Sequence, residues 1–178
     1  MRSSRVVRRA GIAVAIAVAL LPAAAQPSAA AVPSAPGGTT TVTTKSGITL
    51  TATPVRRLPA TGATIRVTGK GYDRTVGIYV ALCVTPRKGK QPSPCGGGVN
   101  TAGTSPASAW ISSTPPPYGR ALAVPYGRGG RFDVRLTVSP IVGGVDCRVV
   151  SCSIVTRADH TRAGDRRFDV AVPVTFAK

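Results

Sequence analysis

The sequence predicts an all-β domain built as a sandwich of two sheets. Three observations carry that reading. The 178 residues include 20 Gly and 16 Pro but no Glu. Val and Thr stand where a helical protein would place Glu, Leu and Gln. From residue 47 onward, apolar residues recur with a period of two, broken by Gly- and Pro-bearing turns.

The first 31 residues read as a secretory signal peptide. Arg2, Arg5, Arg8 and Arg9 form a positive start, residues 10–21 are uncharged and apolar, and Ala-x-Ala sites end at Ala25 and Ala31. The apolar run falls short of the ~20 residues that a bilayer span needs. Cleavage after Ala31 is the expectation, and it leaves no membrane span. Residues 32–46 (VPSAPGGTTTVTTKS) carry little apolar surface and read as a flexible tether. The domain is therefore expected over residues 47–178.

Its strands follow in order. Ile48, Leu50 and Ala52 alternate with Thr49 and Thr51; Ile65 and Val67 alternate with Thr64, Arg66 and Thr68. In 75–84, Val76, Ile78, Val80 and Leu82 share one face, and Tyr79, Ala81 and Cys83 the other. Ala109-Trp110-Ile111 reads as a short strand pinned to the core, or else sets Trp110 as a lid over a ligand. Phe132, Val134, Leu136 and Val138 alternate with Asp133, Arg135 and Thr137. Residues 152–157 are a short mixed run. Phe168, Val170, Val172, Val174 and Phe176 share the face of a last strand. Six or seven such strands in one domain suggest a sandwich of immunoglobulin type.

The formal charge is +17, from 23 Lys and Arg against six Asp. Removing the four arginines of the first 31 residues leaves +13. Such a field attracts polyanions without reading sequence. The candidate contacts are Arg56, Arg57, Arg87, Lys88, Lys90, Arg166 and Arg167. No recognition helix or base-reading motif accompanies them, so DNA binding would be nonspecific. The bland alternative is a solvated basic surface adapted to an anionic cell wall. Few Lys, Asn or Ile beside much Ala, Arg, Gly, Pro and Val suggest a GC-rich bacterial genome.

One His and no Glu argue against most metal sites and paired-carboxylate enzymes. Asp159, His160 and Asp165 sit close in sequence, but no nucleophile–base–orienter set is visible. Asp–Arg pairs in a hairpin loop are the simpler reading. No cofactor and no enzymatic activity are expected.

Four Cys stand at 83, 95, 147 and 152. An even count in an exported chain argues for disulfides. The spacing lacks the Cys-x2-Cys pair of zinc sites. Nearest-neighbour pairing would close two small loops. A bridge from Cys83 to Cys147 or Cys152, joining the sheets, remains open on spacing alone.

The order strand–Cys83–loop–Cys95, then Gly130-Arg131-Phe132, then Val145-Asp146-Cys147-x4-Cys152 resembles the neocarzinostatin family of apo-chromoproteins. Thr53-Pro54, Gly62, Ile65-Arg66-Val67-Thr68-Gly69-Lys70-Gly71-Tyr72 and the closing Val172-Pro173-Val174-Thr175-Phe176 are similar to that family's first and last strands. The resemblance implies a seven-stranded immunoglobulin-like sandwich with local disulfides Cys83–Cys95 and Cys147–Cys152. It also implies an exported monomer that holds a small apolar or aromatic ligand in a cleft, with affinity for DNA. Carried over, that cleft is floored by Tyr79, Ala81, Cys83 and Thr85, then Ser153, Val155 and Arg157. Thr85 stands where the family carries an aromatic residue. Val155 stands where it carries a small one. Val155 and Arg157 are therefore expected to narrow or fill the cleft, and Trp110, Tyr118 and Tyr126 to lid it. The competing reading is a disulfide-stapled surface module without cargo. An open, concave face at Tyr79, Ala81 and Ser153 would favour the carrier.

Overall fold

The computed structural model describes residues 35–97 and 107–178, all within one compact unit. The expected signal peptide and the first residues of the expected tether lie outside the described residues, as does the 98–106 part of the loop expected to lid the cleft. Among the described residues no helix is long and apolar enough to cross a membrane.

Eleven strands form the domain. They are β1 (Thr40–Thr43), β2 (Thr49–Thr53), β3 (Ala63–Lys70), β4 (Ile78–Val84), β5 (Ser108–Ile111), β6 (Ala123–Val124), β7 (Phe132–Val138), β8 (Ile141–Val142), β9 (Val145–Asp146), β10 (Cys152–Ala158) and β11 (Val170–Val174). One sheet runs β1-β2-β3-β7 and the other β11-β10-β4-β5-β6; β8 and β9 pair as a separate ribbon. The architecture is thus an all-β sandwich, as expected. Three two-residue strands and β1 raise the strand count above seven.

β1 lies inside the segment read as a tether. Its composition is polar, but it is an edge strand that needs only one partner. Thr40–Thr43 pairs antiparallel with Thr49–Ala52. Thr41 and Thr51 join hydroxyls across the pair at 2.8 Å. β-Branched Thr suits a half-solvated strand, and the ladder supplies the order that apolar burial does not.

The core fills the space between the sheets. Leu50, Ala52, Ile65, Val67 and Leu136 face Val80, Leu82, Ile154 and Val172, all of them buried. A polar chain crosses one end of it. The Tyr72 hydroxyl lies 3.0 Å from the Thr156 hydroxyl, which donates to the Phe168 carbonyl at 2.8 Å. Tyr126 stacks on Tyr72 and donates its hydroxyl to the Val76 carbonyl. Burial raises the pKa of both phenols, so both remain donors. Tyr126, expected over the cleft, is therefore a core residue.

The expected last strand is shorter than its apolar pattern. Phe168 closes a 3-10 turn at Arg166–Phe168, and Phe176 makes an isolated bridge with Leu58. Both rings are still buried. Pro173 is accommodated because β11 is an edge strand.

Candidate ligand cleft

β4 and β10 are buried on both faces, unlike a half-solvated strand. Their inward residues enter the core. The outward residues of β4 are Tyr79, Ala81 and Cys83, and those of β10 are Ser153, Val155 and Arg157. The antiparallel register aligns Cys83 with Ser153, Ala81 with Val155 and Tyr79 with Arg157. On the far side of β4, Tyr79 pairs with Trp110 and Ala81 with Ser108. Ala81, Cys83 and Val155 form a second buried apolar cluster outside the main core, with Cys95 and Ala171 packed on it.

The segment after β4 covers this face. Cys83 is bonded to Cys95, and Cys147 to Cys152. The Val84 amide donates to the Pro94 carbonyl, and the Gly96 amide to the Leu82 carbonyl. These links fold residues 92–96 back over the sheet. A cavity of about 290 Å³ remains between them, lined by Tyr79, Ala81, Cys83, Val155 and Arg157 of β4 and β10, by Pro92 to Gly96, and by Ser108. Ligand pockets run from ~300 Å³ upward, so this one suits a molecule of one or two rings.

The pairing of the cysteines follows from side-chain direction. Cys83 points outward from β4, whereas Cys147 and Cys152 belong to the core between the sheets. An inter-sheet bridge from Cys83 would have to pass through its own sheet. All four cysteines are in disulfides.

The expected cleft residues divide into two groups. Tyr79, Ala81, Val155 and Arg157 meet at the cavity. Val155 is 1% exposed and forms floor, so the cavity lies above its side chain. Ser153 and Thr85 lie beyond the lining and bond to each other at 2.8 Å. Trp110 is not a lining residue either. It sits beside the cavity, 9% exposed, with its ring held on several sides.

That holding is the main feature that sequence reasoning missed. The Trp110 Nε1–H donates to Asp159 Oδ2 at 2.9 Å. Asp159 is 2% exposed, and its other oxygen accepts from the Thr161 amide and hydroxyl at 2.9 and 2.6 Å. The His160 ring meets the indole edge-on at 5.3 Å. Its Nδ1 bonds the Tyr79 hydroxyl at 2.5 Å and its Nε2 the Tyr118 hydroxyl at 2.6 Å. Burial, and after it the nearby Asp159 charge, raise the Tyr79 pKa. Two glycines make room. A Cβ at Gly77 would lie 1.9 Å from Asp159 Oδ2, and one at Gly119 would lie 2.3 Å from the Trp110 ring. The available signal was Gly77 immediately before a strand, together with the only Trp of the chain.

The loop from β10 to β11 is built from the expected Asp–Arg pairs. Asp165 accepts from Arg167 at 2.6 Å, and Arg166 contacts Asp169 at 3.0 Å. Hydrogen bonds from the Arg167 side chain and amide hold the Asp165 carboxyl at about 2. Desolvation raises Asp169 to about 6, against the pull of Arg166 and Arg157.

The basic residues also divide. Arg56, Arg57, Arg87, Lys88 and Lys90 are exposed and make no ion pair among the described residues. Arg166 and Arg167 are already partnered by Asp169 and Asp165.

No family model and no curated protein sequence matches the chain. Among solved structures it is similar to macromomycin, at 22% identity and a TM-score of 0.47, over 74% of this chain and 100% of that chain.

Proposed function

We propose that this chain is an exported, non-enzymatic binding module that holds a small apolar or aromatic molecule on the outer face of its five-stranded sheet. One observation carries the reading: the cavity of about 290 Å³ over Tyr79, Ala81 and Val155, walled by the Cys83–Cys95 loop. A sheet face with no binding role would ordinarily be solvated and polar. Here its centre at Ala81, Cys83 and Val155 is apolar and buried, with a concave gap left above it. The floor is rigid, since it is shared with the core strands, and a preformed site spends little of its binding energy on ordering.

A non-enzymatic role fits the titratable groups beside the cavity. Both nitrogens of His160 are engaged by tyrosine hydroxyls, and Asp159 is engaged by Trp110 and Thr161. Neither addresses a nucleophile. Two disulfides fit an oxidising, extracellular setting.

A second, weaker activity is supported by the unpartnered cations at Arg56, Arg57, Arg87, Lys88 and Lys90. Polyanions such as DNA would bind there without sequence preference. Neutralising ~6 phosphates implies a ~10³-fold loss of affinity between about 50 and about 200 mM salt.

Native mass spectrometry of the oxidised protein from its own culture medium tests the cargo. A mass excess that organic extraction removes is expected. A bare polypeptide mass, with no binding of a naphthalene fluorophore by the extracted protein, would leave the surface-module reading in its place.

A further inference from the structure

We infer that the ligand is an anion: a flat apolar acid whose oxyanion group is gripped by Arg157 while its ring lies over Ala81 and Val155. This rests on the reading of the cavity as a ligand site, and it assigns that site a chemical class.

Arg157 is the one charged side chain among the described lining residues, and no acid is among them. It is half-buried and stands on β10 directly across from Tyr79. Its guanidinium lies over the Tyr79 ring, 5.7 Å from the centroid. Among the described residues its side chain makes no hydrogen bond and no ion pair. Asp169 feels the Arg157 charge and its Oδ1 makes no hydrogen bond among the described residues, but it forms no ion pair with Arg157. Asp169 contacts Arg166 at 3.0 Å, and Asp159 accepts from Trp110 and Thr161.

A partly desolvated guanidinium with its donors unspent is a receptor for an oxyanion. Its planar fork matches a carboxylate in two parallel hydrogen bonds. The contact with the Tyr79 ring holds the guanidinium beside the cavity without using its N–H donors. The remaining lining is apolar or neutral: Ala81, Val155, two prolines and a disulfide, with the Ser93 and Ser108 hydroxyls as weak donors. A cationic ligand would meet Arg157 with no acid among the described lining residues to offset it. The net charge, +17 for the full chain and +13 without the four arginines of the first 31 residues, acts in the same direction and concentrates anions near the surface.

The test is a titration of the oxidised protein at neutral pH with three probes of one shape: 2-naphthoate, 2-naphthalenemethanol and 2-naphthylmethylammonium. A charged hydrogen-bonded pair implies that naphthoate binds roughly tenfold to hundredfold tighter than the alcohol, with the ammonium weakest. Arg157→Gln should erase the preference for naphthoate, and Arg157→Lys should keep part of it. Arg135→Gln, on the exposed face of the opposite sheet, should leave it intact. If Arg157→Gln fails to fold, the lysine variant and the wild-type ranking still decide. Equal binding of naphthoate and the alcohol would overturn the anion assignment while leaving the cleft standing. A naphthoate preference that survives Arg157→Gln would overturn it too, by tracing it to net charge. Binding of none of the three would overturn both the assignment and the ligand site beneath it.

Discussion

The outward faces of the two sheets have opposite fates. On the four-stranded sheet, Thr41, Thr51, Thr68 and Asp133 lie side by side in register and face solvent. Arg66 and Asp133 pair there at 2.5 Å with about half of each side chain exposed. On the five-stranded sheet, the matching row of Ala171, Val155, Ala81 and Ser108 is covered by the loop after β4. The same strand geometry therefore gives one face to water and the other to a second, smaller interior. The difference lies in what crosses the face. Turns at Ser46-Gly47 and Thr61-Gly62 keep the first sheet open, whereas the disulfide at Cys83 folds its loop back over the second.

The two faces should respond most differently to a buried charge. Val155→Asp should lower stability by more than ~3 kcal/mol, because the carboxylate would be buried without a partner. Thr51→Asp, at an equivalent central position, should change it by less than ~0.5 kcal/mol. Chemical denaturation reads both. Similar effects at the two sites would show that the second face is not covered.

Removing the disulfides one at a time sharpens the contrast. Cys83→Ser with Cys95→Ser should cost roughly 2–3 kcal/mol by chain entropy and also abolish ligand binding, since it frees the cavity wall. Cys147→Ser with Cys152→Ser opens a shorter loop in the core. It should lower stability but leave the probe affinity of the folded protein unchanged.

Asp159→Ala tests what holds Trp110 beside the cavity. It leaves a buried indole N–H without an acceptor, a loss of about 1–3 kcal/mol. Fluorescence of the sole tryptophan should shift on ligand addition in both proteins, but the unliganded variant should emit further to the red. An unchanged melting temperature would mean that the Asp159 bond is dispensable.

The smallest expected effect is a pH dependence from Asp169. Its folded pKa, about 6, lies above the ordinary 3.8, so the folded state holds this proton more tightly than the unfolded state. Stability from this group should rise as pH falls from about 6 to about 4, by about 1 kcal/mol after solvent screening. Asp73, Asp133, Asp146 and Asp165 act oppositely. Their pKa values are lowered, and their contribution is lost as pH falls below 3.8. A thermal midpoint that peaks near pH 4 is expected, and Asp169→Asn should flatten the rise between 6 and 4.

The contrast between the faces also decides what the sequence discloses. β2, β3 and β7 alternate cleanly because one face of each is wet, and their boundaries are readable to a residue or two. β10 is buried on both faces, so CSIVTRA shows no alternation and reads as a mixed run. β1 escapes notice because pairing, not burial, orders it. The candidate site is partly legible for the same reason. Period two places Tyr79, Ala81 and Cys83 on one face of β4, but nothing local says that Pro92 to Gly96 fold back onto it. The Asp159–Trp110 bond spans 49 positions and leaves only Gly77 as its trace. The core position of Tyr126 is not legible, because a tyrosine in a Gly- and Pro-rich loop has no periodicity to tie it to the core.

Amide and methyl chemical-shift mapping reads directly whether the covered face is the ligand site. The oxidised protein is titrated with 2-naphthoate. The account predicts saturable shifts at Tyr79, Ala81, Gly96, Ser108, Val155 and Arg157, with Thr41, Thr51 and Thr68 of the opposite face unmoved. Shifts confined to the exposed basic residues at 56–57 and 87–90, with Ala81 and Val155 silent, would contradict it.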